Sequence, residues 1–204
     1  MNKCYDIIGA ICAGIIVLIA GIVAWNDYAS YTDIVFTFDT PEGQARLVST
    51  EFGDYNITPN EPLRVKKGDY ALSTFGEGLQ PRNEAISLEH EQTVPVSFSY
   101  TEDRLKEIYQ EEARAIRTAL RAEYPSLQRN YTVSGHAVYQ KGQFYGAKLT
   151  FRDKNNDNRD TLRVLMEKKD GEWTVRSNPP VPVLSAPDFA DVQPATLETI
   201  NRLK

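Results

Sequence analysis

Chemistry of the common hydrolytic kinds needs a histidine, a reactive cysteine or converging carboxylates, and this chain offers few of each. Its two histidines are His90 and His136. His90 stands between Glu89 and Glu91 near an expected strand end, which reads as a surface residue. His136 follows Gly135 inside an expected strand, with Tyr139 and Tyr145 close by in sequence. Under a covering helix, His136, Tyr139 and Tyr145 would form the polar part of a pocket, with His136 as base or ligand. An ordinary sheet position is the simpler expectation. Exposed tyrosines such as Tyr131, Tyr139 and Tyr145 also suit binding surfaces. Asp153, Asn155, Asp157 and Asp160 alternate like the start of a calcium loop. Asn158 stands where such a loop wants glycine, and Val164 where it wants glutamate, so the run reads as a solvated hairpin. There is no HExxH, no phosphate-cradling glycine loop and no G-x-S-x-G. These residues predict no catalytic centre, no metal and no cofactor.

Both cysteines, Cys4 and Cys12, lie in or beside an apolar segment, so the rest of the chain has no disulfide framework and no thiolate site. Ile11 before Cys12 is too large for lipoprotein processing, and Cys4 reads as a plain thiol at a membrane edge. The formal net charge is −5, so no global basic field draws the chain to nucleic acid.

The apolar segment is what everything else must be placed around. Ile7 to Trp25, with Ile16 at its middle, carries no charge and no strong hydrogen-bonding side chain. As a helix it would be roughly 28 Å long, close to a bilayer's hydrocarbon thickness. The run is long for a secretory signal, and Ala24-Trp25 makes a poor cleavage site, so an uncleaved anchor is expected. Lys3 precedes the span, and no Lys or Arg follows before Arg46. The positive-inside rule then sets the N-terminus in the cytoplasm and residues 26–204 outside the cytoplasmic membrane. Small-xxx-small pairs (Gly9 with Ala13, Ala10 with Gly14, Ala20 with Ala24) could bring two spans together as a homo-oligomer. Residues 1–31 are thus read as cytoplasmic stub, transmembrane anchor and short linker, with membrane lipid as the partner of residues 7–25.

From residue 32 to residue 100 the apolar period is two. Ile34, Phe36 and Phe38 share one face, and the turn Thr40-Pro41-Glu42-Gly43 leads into the alternating run Gln44–Ser49. A turn-rich piece, Phe52–Pro59, precedes Leu63–Val65, Asp69–Phe75, Ala85–Leu88 and Val94–Tyr100. Short strands punctuated this often predict a small all-β sandwich or barrel, with Pro95 on an edge strand. The stretch resembles a PEGA-type domain, the β module named for a Pro-Glu-Gly-Ala signature. Pro41, Glu42 and Gly43 stand where the signature begins, with Ala45 one residue late. Gly53 with Thr58 and Pro59, then Lys67-Gly68-Asp69-Tyr70, match its later spacing. The resemblance implies a non-catalytic, extracytoplasmic domain of envelope or surface proteins.

Residues 101–184 read as a second module. Thr101 is a plausible N-cap followed by two acids, and Leu105, Ile108, Tyr109, Ile116, Ala119, Leu120 and Tyr124 recur at helical spacing. Pro125 ends the pattern, which predicts one helix over 102–124. Four strands follow, Tyr131–Gln140, Phe144–Arg152, Thr161–Lys168 and Glu172–Arg176, with Lys141-Gly142 as a tight hairpin. A long helix packed on a four-stranded antiparallel meander is the economical arrangement. That order resembles the cystatin-like and NTF2-like α+β modules, and Gly171-Glu172-Trp173-Thr174-Val175 resembles the last strand of NTF2-like envelope domains. Residues 185–204 read as a Pro-rich tail with a short helix that carries Leu197 and Ile200 on one face.

The expectation is an α+β, single-pass membrane protein that presents non-catalytic binding or adaptor domains to an envelope or surface partner. The alternative is a small-ligand or enzymatic pocket in the cone between helix 102–124 and the sheet. A third expectation makes the β module a spacer. Packing separates the first two: a cone filled by Leu105, Ile108, Ile116 and Leu120 leaves no room for a substrate.

Overall fold

In the computed structural model of the chain, residues 28–152 and 161–203 are described. The anchor residues Ile7, Ile16 and Trp25, both cysteines, the small-xxx-small pairs and the calcium-like run Asp153–Asp160 lie outside them. No described helix is long and apolar enough to cross a membrane. The chain is α+β and divides into two compact units between Phe98 and Ser99.

The first unit holds seven strands: β1 (Tyr31–Phe38), β2 (Gln44–Ser49), β3 (Gly53–Asn56), β4 (Pro62–Lys66), β5 (Gly68–Phe75), β6 (Arg82–Leu88) and β7 (Gln92–Val96). They form two sheets, ordered β4-β1-β7 and β3-β2-β5-β6. Period-two alternation does what it must, burying Ile34 and Phe36 of β1, Ala45 and Leu47 of β2, and Tyr70 and Leu72 of β5. All pairings are antiparallel except β1 with β7. Pro95 lies on β7, an edge strand, where a missing N–H disturbs the ladder least. The turn-rich reading of Phe52–Pro59 needs correction, because β3 pairs there with β2 from Arg46↔Asn56 to Ser49↔Gly53. Aromatic contacts offset the weak strand propensity of Gly53, Asp54 and Asn56: Phe52 and Tyr55 both pack on Tyr70, ring centroids 5.8 and 6.1 Å away.

The second unit begins with helix α1 (Glu102–Glu123), whose N-cap Thr101 accepts the Arg104 N–H through Oγ1 at 3.3 Å. A short helix α2 (Leu127–Asn130) leads into an antiparallel sheet of β8 (Tyr131–Tyr139), β9 (Phe144–Phe151), β10 (Leu162–Lys169) and β11 (Glu172–Val175), ordered β11-β10-β9-β8. The turn between β8 and β9 is longer than a two-residue hairpin. Gln140, Lys141 and Gly142 all take positive φ, and a Cβ on Gly142 would lie 3.1 Å from Ile108 Cγ2. The turn therefore tucks against the first half of α1.

Both faces of this sheet are covered. One face packs Val138, Tyr145, Ala147, Leu149, Val164, Met166 and Trp173 against Ile116 and Leu120 of α1. The other packs Phe144 and Leu165 against Leu184, Phe189, Val192, Leu197 and Ile200. The last two belong to α3 (Pro194–Asn201). Residues 185–203 thus serve as the second covering layer of the sheet. Gly146 is the point of closest approach, where an added Cβ would stand 2.4 Å from Ile200 Cγ1.

Candidate functional site

The β8 edge of the second sheet carries Tyr131, His136 and Tyr139. β8 pairs with β9 on one side, and α1 crosses beside it. Near the C-terminal end of β8 lies a cavity of about 400 Å³, lined by Leu105, Tyr109, His136, Val138, Tyr139 and Leu203 among others. It wraps the β8 edge, lined by Leu105, Tyr109 and Val138 from the α1 face and by Tyr139, Thr199 and Leu203 from the α3 side. Ile116 and Leu120 close the inner part of the helix–sheet cone, while Leu105 and Ile108 are only partly buried.

Of the three pocket candidates, His136 and Tyr139 line this cavity and Tyr145 does not. Tyr145 lies beneath, buried, with its ring stacked on Tyr109 at 6.1 Å and edge-on to Trp173 at 6.4 Å. Burial pushes its hydroxyl pKa well up. His136 lies on the rim, its imidazole 4.4 Å from the Tyr109 ring centroid. Desolvation lowers its pKa, so the neutral ring is favoured. Its contacts are stacking contacts, and none of them orients a nitrogen as the partner of a general base would. The Tyr139 hydroxyl is shielded from solvent and has no hydrogen-bond partner among the described residues. Burial raises its pKa.

At the other end of β8 a second cavity, of about 280 Å³, is lined by Arg117, Arg121 and Arg152 together with Tyr124, Tyr131 and Thr132. Arg152 donates through Nε to the Tyr131 carbonyl at 3.1 Å, and Arg117 through Nε to the Ala113 carbonyl at 3.0 Å. No carboxylate among the described residues lines this cavity. Arg117 and Arg121, four residues apart on α1, line the sheet edge beside Arg152. Their i, i+4 spacing was a visible signal for a shared face, but nothing in sequence tied that face to Arg152.

The β-module turn residues belong to the first unit. Gly43 lies over the Phe98 ring, where a Cβ would meet Cζ at 2.4 Å, and the Phe98 N–H donates to Asp39 Oδ1 at 3.1 Å. Glu42 accepts a short hydrogen bond from the Thr40 hydroxyl, and Pro41 is exposed. Thr58 and Pro59 lie exposed in the separate β3–β4 connection. The motif positions its own turn and carries no converging chemistry. His90 is exposed between β6 and β7. Among the described residues no cluster of His, Cys, Asp and Glu is disposed to hold a metal.

In comparison with known proteins, no family model, no curated protein and no solved structure matches the chain.

Proposed function

We propose that this chain is a membrane-anchored extracytoplasmic protein whose outer units bind a protein or envelope partner without catalysis. In this reading residues 7–25 are the anchor, the first unit is a PEGA-like domain and the second is a cystatin/NTF2-like one. The observation that carries it is the packing of the inner part of the cone. Ile116 and Leu120 close against Val138, Tyr145, Ala147, Leu149, Val164, Met166 and Trp173, so the space that holds substrate in an open cone is occupied by side chains. The functional surface then moves outward, to the grooves along β8.

In-cell photocross-linking from Arg117 and Lys141 tests it. A discrete protein adduct at either position is the expected result, and diffuse labelling at both argues against a binding module. One observation favours a second reading, a small-ligand pocket: the cavity of about 400 Å³ beside β8, lined largely by apolar groups with His136 among them. A ligand screen by thermal shift decides that alternative, which requires a hit whose binding weakens on His136→Ala.

A further inference from the structure

Strand β8 is an unusual sheet edge. Its nine residues, Tyr131–Tyr139, include no proline and no charged side chain. Proteins normally blunt such an edge with lysine, proline, short length or a covering element, because its free N–H and C=O groups template another strand. The strand's own device among the described residues is a bulge between Val133 and Gly135, which leaves Gly135–Tyr139 in regular register with β9. Val133 is 37% exposed beside the bulge. Among the described residues β8 has no second strand neighbour, and grooves lie along it at both ends.

The two grooves differ in chemistry. The Tyr139 end is a cleft whose apolar lining is Leu105, Tyr109, Val138 and Leu203, with Glu102 and Lys106 also in its wall. The Thr132 end offers the guanidinium groups of Arg117, Arg121 and Arg152, all exposed, with no lining carboxylate among the described residues. From Val138 to Thr132 the strand spans roughly 20 Å at its usual rise.

Resting on the binding-module reading above, we infer that β8 accepts an extended acidic peptide segment of a partner protein as an added antiparallel strand. An apolar side chain of the peptide fills the Leu105–Tyr109 cleft. About six residues further along, an Asp, a Glu or a terminal carboxylate meets the arginines. Main-chain hydrogen bonds supply affinity that is blind to sequence, and the two end pockets supply selectivity. The antiparallel sense follows the rest of this sheet, whose pairs are all antiparallel, and gives the straighter hydrogen bonds. Carboxylates suit the arginine end because guanidinium groups bind them through paired N–H donors. A second copy of this chain fits less well. Pairing β8 with β8 of a twin would bring the arginines to the twin's Leu105 end, where Glu102 and Lys106 offset each other.

The test uses the full chain in mild detergent, with a random decapeptide library displayed on phage as the probe. Enrichment of sequences with an apolar residue followed about six positions later by Asp or Glu is expected. Synthetic versions should bind at least about tenfold more weakly to Arg117→Glu/Arg121→Glu and to Val133→Lys, a 1.4 kcal/mol loss per factor of ten. Both changes are at exposed positions, and the thermal melt of each variant should match the parent. No enrichment, or enriched peptides indifferent to both variants, overturns the proposal. So does self-association that Val133→Lys abolishes, which assigns the edge to a second copy. Binding to anionic phosphatidylglycerol vesicles that requires the arginines, with no peptide selected, overturns it in favour of a lipid surface. The in-cell cross-links separate the two levels: a discrete protein adduct with no peptide enrichment keeps the binding module and removes the strand-addition mode.

Discussion

Glu112 of α1 accepts the Trp173 indole N–H at 2.9 Å through one carboxylate oxygen and the Lys168 ammonium at 2.6 Å through the other. One side chain thus ties the middle of the helix to the last two strands of the sheet. Both hydrogen bonds favour the charged carboxylate, the Lys168 bond most, and they hold its pKa below the usual value of 4.5 despite partial desolvation.

The sign of the pH effect follows. A carboxyl whose folded pKa is depressed stabilises the fold fully above its unfolded pKa, and that contribution is lost as pH falls through the depressed folded value. Glu112→Ala is expected to cost about 2 kcal/mol at neutral pH, since it leaves the buried Trp173 N–H without a partner and Lys168 without its ion pair. Glu112→Gln keeps an acceptor for the indole and should cost less. Urea denaturation in a Trp25→Phe background, followed by Trp173 fluorescence from neutral pH to below 4.5, checks both. The acid-side loss should be smaller in the Gln variant, and an identical pH slope in parent and variant would refute the assignment.

The close approach at Gly146 gives a second expectation. With Ile200 fully buried above it, a methyl group at 146 must push α3 away from the sheet. Gly146→Ala should destabilise by roughly 1–3 kcal/mol, the usual cost of overpacking. Ile200→Val beside it should recover part of the loss by removing a methyl from the contact. Denaturation of the single and double variants measures this; additive losses would show that Ile200 is not what the new methyl meets.

How much of this arrangement could be read from the chain depends on which physical signal each part sends. Helix α1 was legible because its cap, its apolar stripe and Pro125 agree, and the expected range 102–124 ends within one residue of Glu102–Glu123. The four strands of the meander were legible for the same reason, with turn residues marking each return. The short C-terminal helix with Leu197 and Ile200 on one face also formed as expected. Where that helix docks was not legible, because Phe144 and Leu165 alternate with residues facing α1 and nothing local says what covers the second face. Nor was the arginine cluster, which joins α1 to the end of β9 across a distance in sequence. Strand β3 was hidden by its composition, since Gly53, Asp54 and Asn56 read as turn and only tertiary contact with Tyr70 makes them strand.

In the first unit, Gly43 and Phe98 are expected to be coupled. Gly43→Ala puts a methyl into the Phe98 ring, which also packs edge-on against Phe38 at 5.3 Å. Alone it should cost roughly 1–3 kcal/mol. In a Phe98→Ala background, itself costing about 3–5 kcal/mol, the same change should be close to neutral, because the clash is gone. Hydrogen exchange at β1 and β7 amides reads both effects. Equal penalties for Gly43→Ala in the two backgrounds would remove Phe98 from the explanation.

Arg163 carries the last expectation. It is only 9% exposed, on the sheet face that α3 covers, and no carboxylate among the described residues pairs with it. Its guanidinium instead donates to three carbonyls: Ile200 through Nε at 3.2 Å, Asn201 through Nη2 at 3.0 Å and Leu162 through Nη1 at 3.3 Å. Two of these end α3, where helix carbonyls lack internal partners and the dipole favours a cation. The planar fork holds Nε, Nη1 and Nη2 donors apart in fixed directions, whereas an ammonium gathers its three donors at one point on a flexible stem. Arg163→Lys should therefore behave more like Arg163→Ala than like the parent, with roughly 1–3 kcal/mol lost in either case as buried carbonyls go unpaired. The loss should be local. Amides of Leu197 to Arg202 should exchange faster, while those of β9 facing α1 stay protected, because Ile116 and Leu120 pack on the other side of the sheet. Full rescue by lysine would mean that charge near the helix end matters and the forked geometry does not.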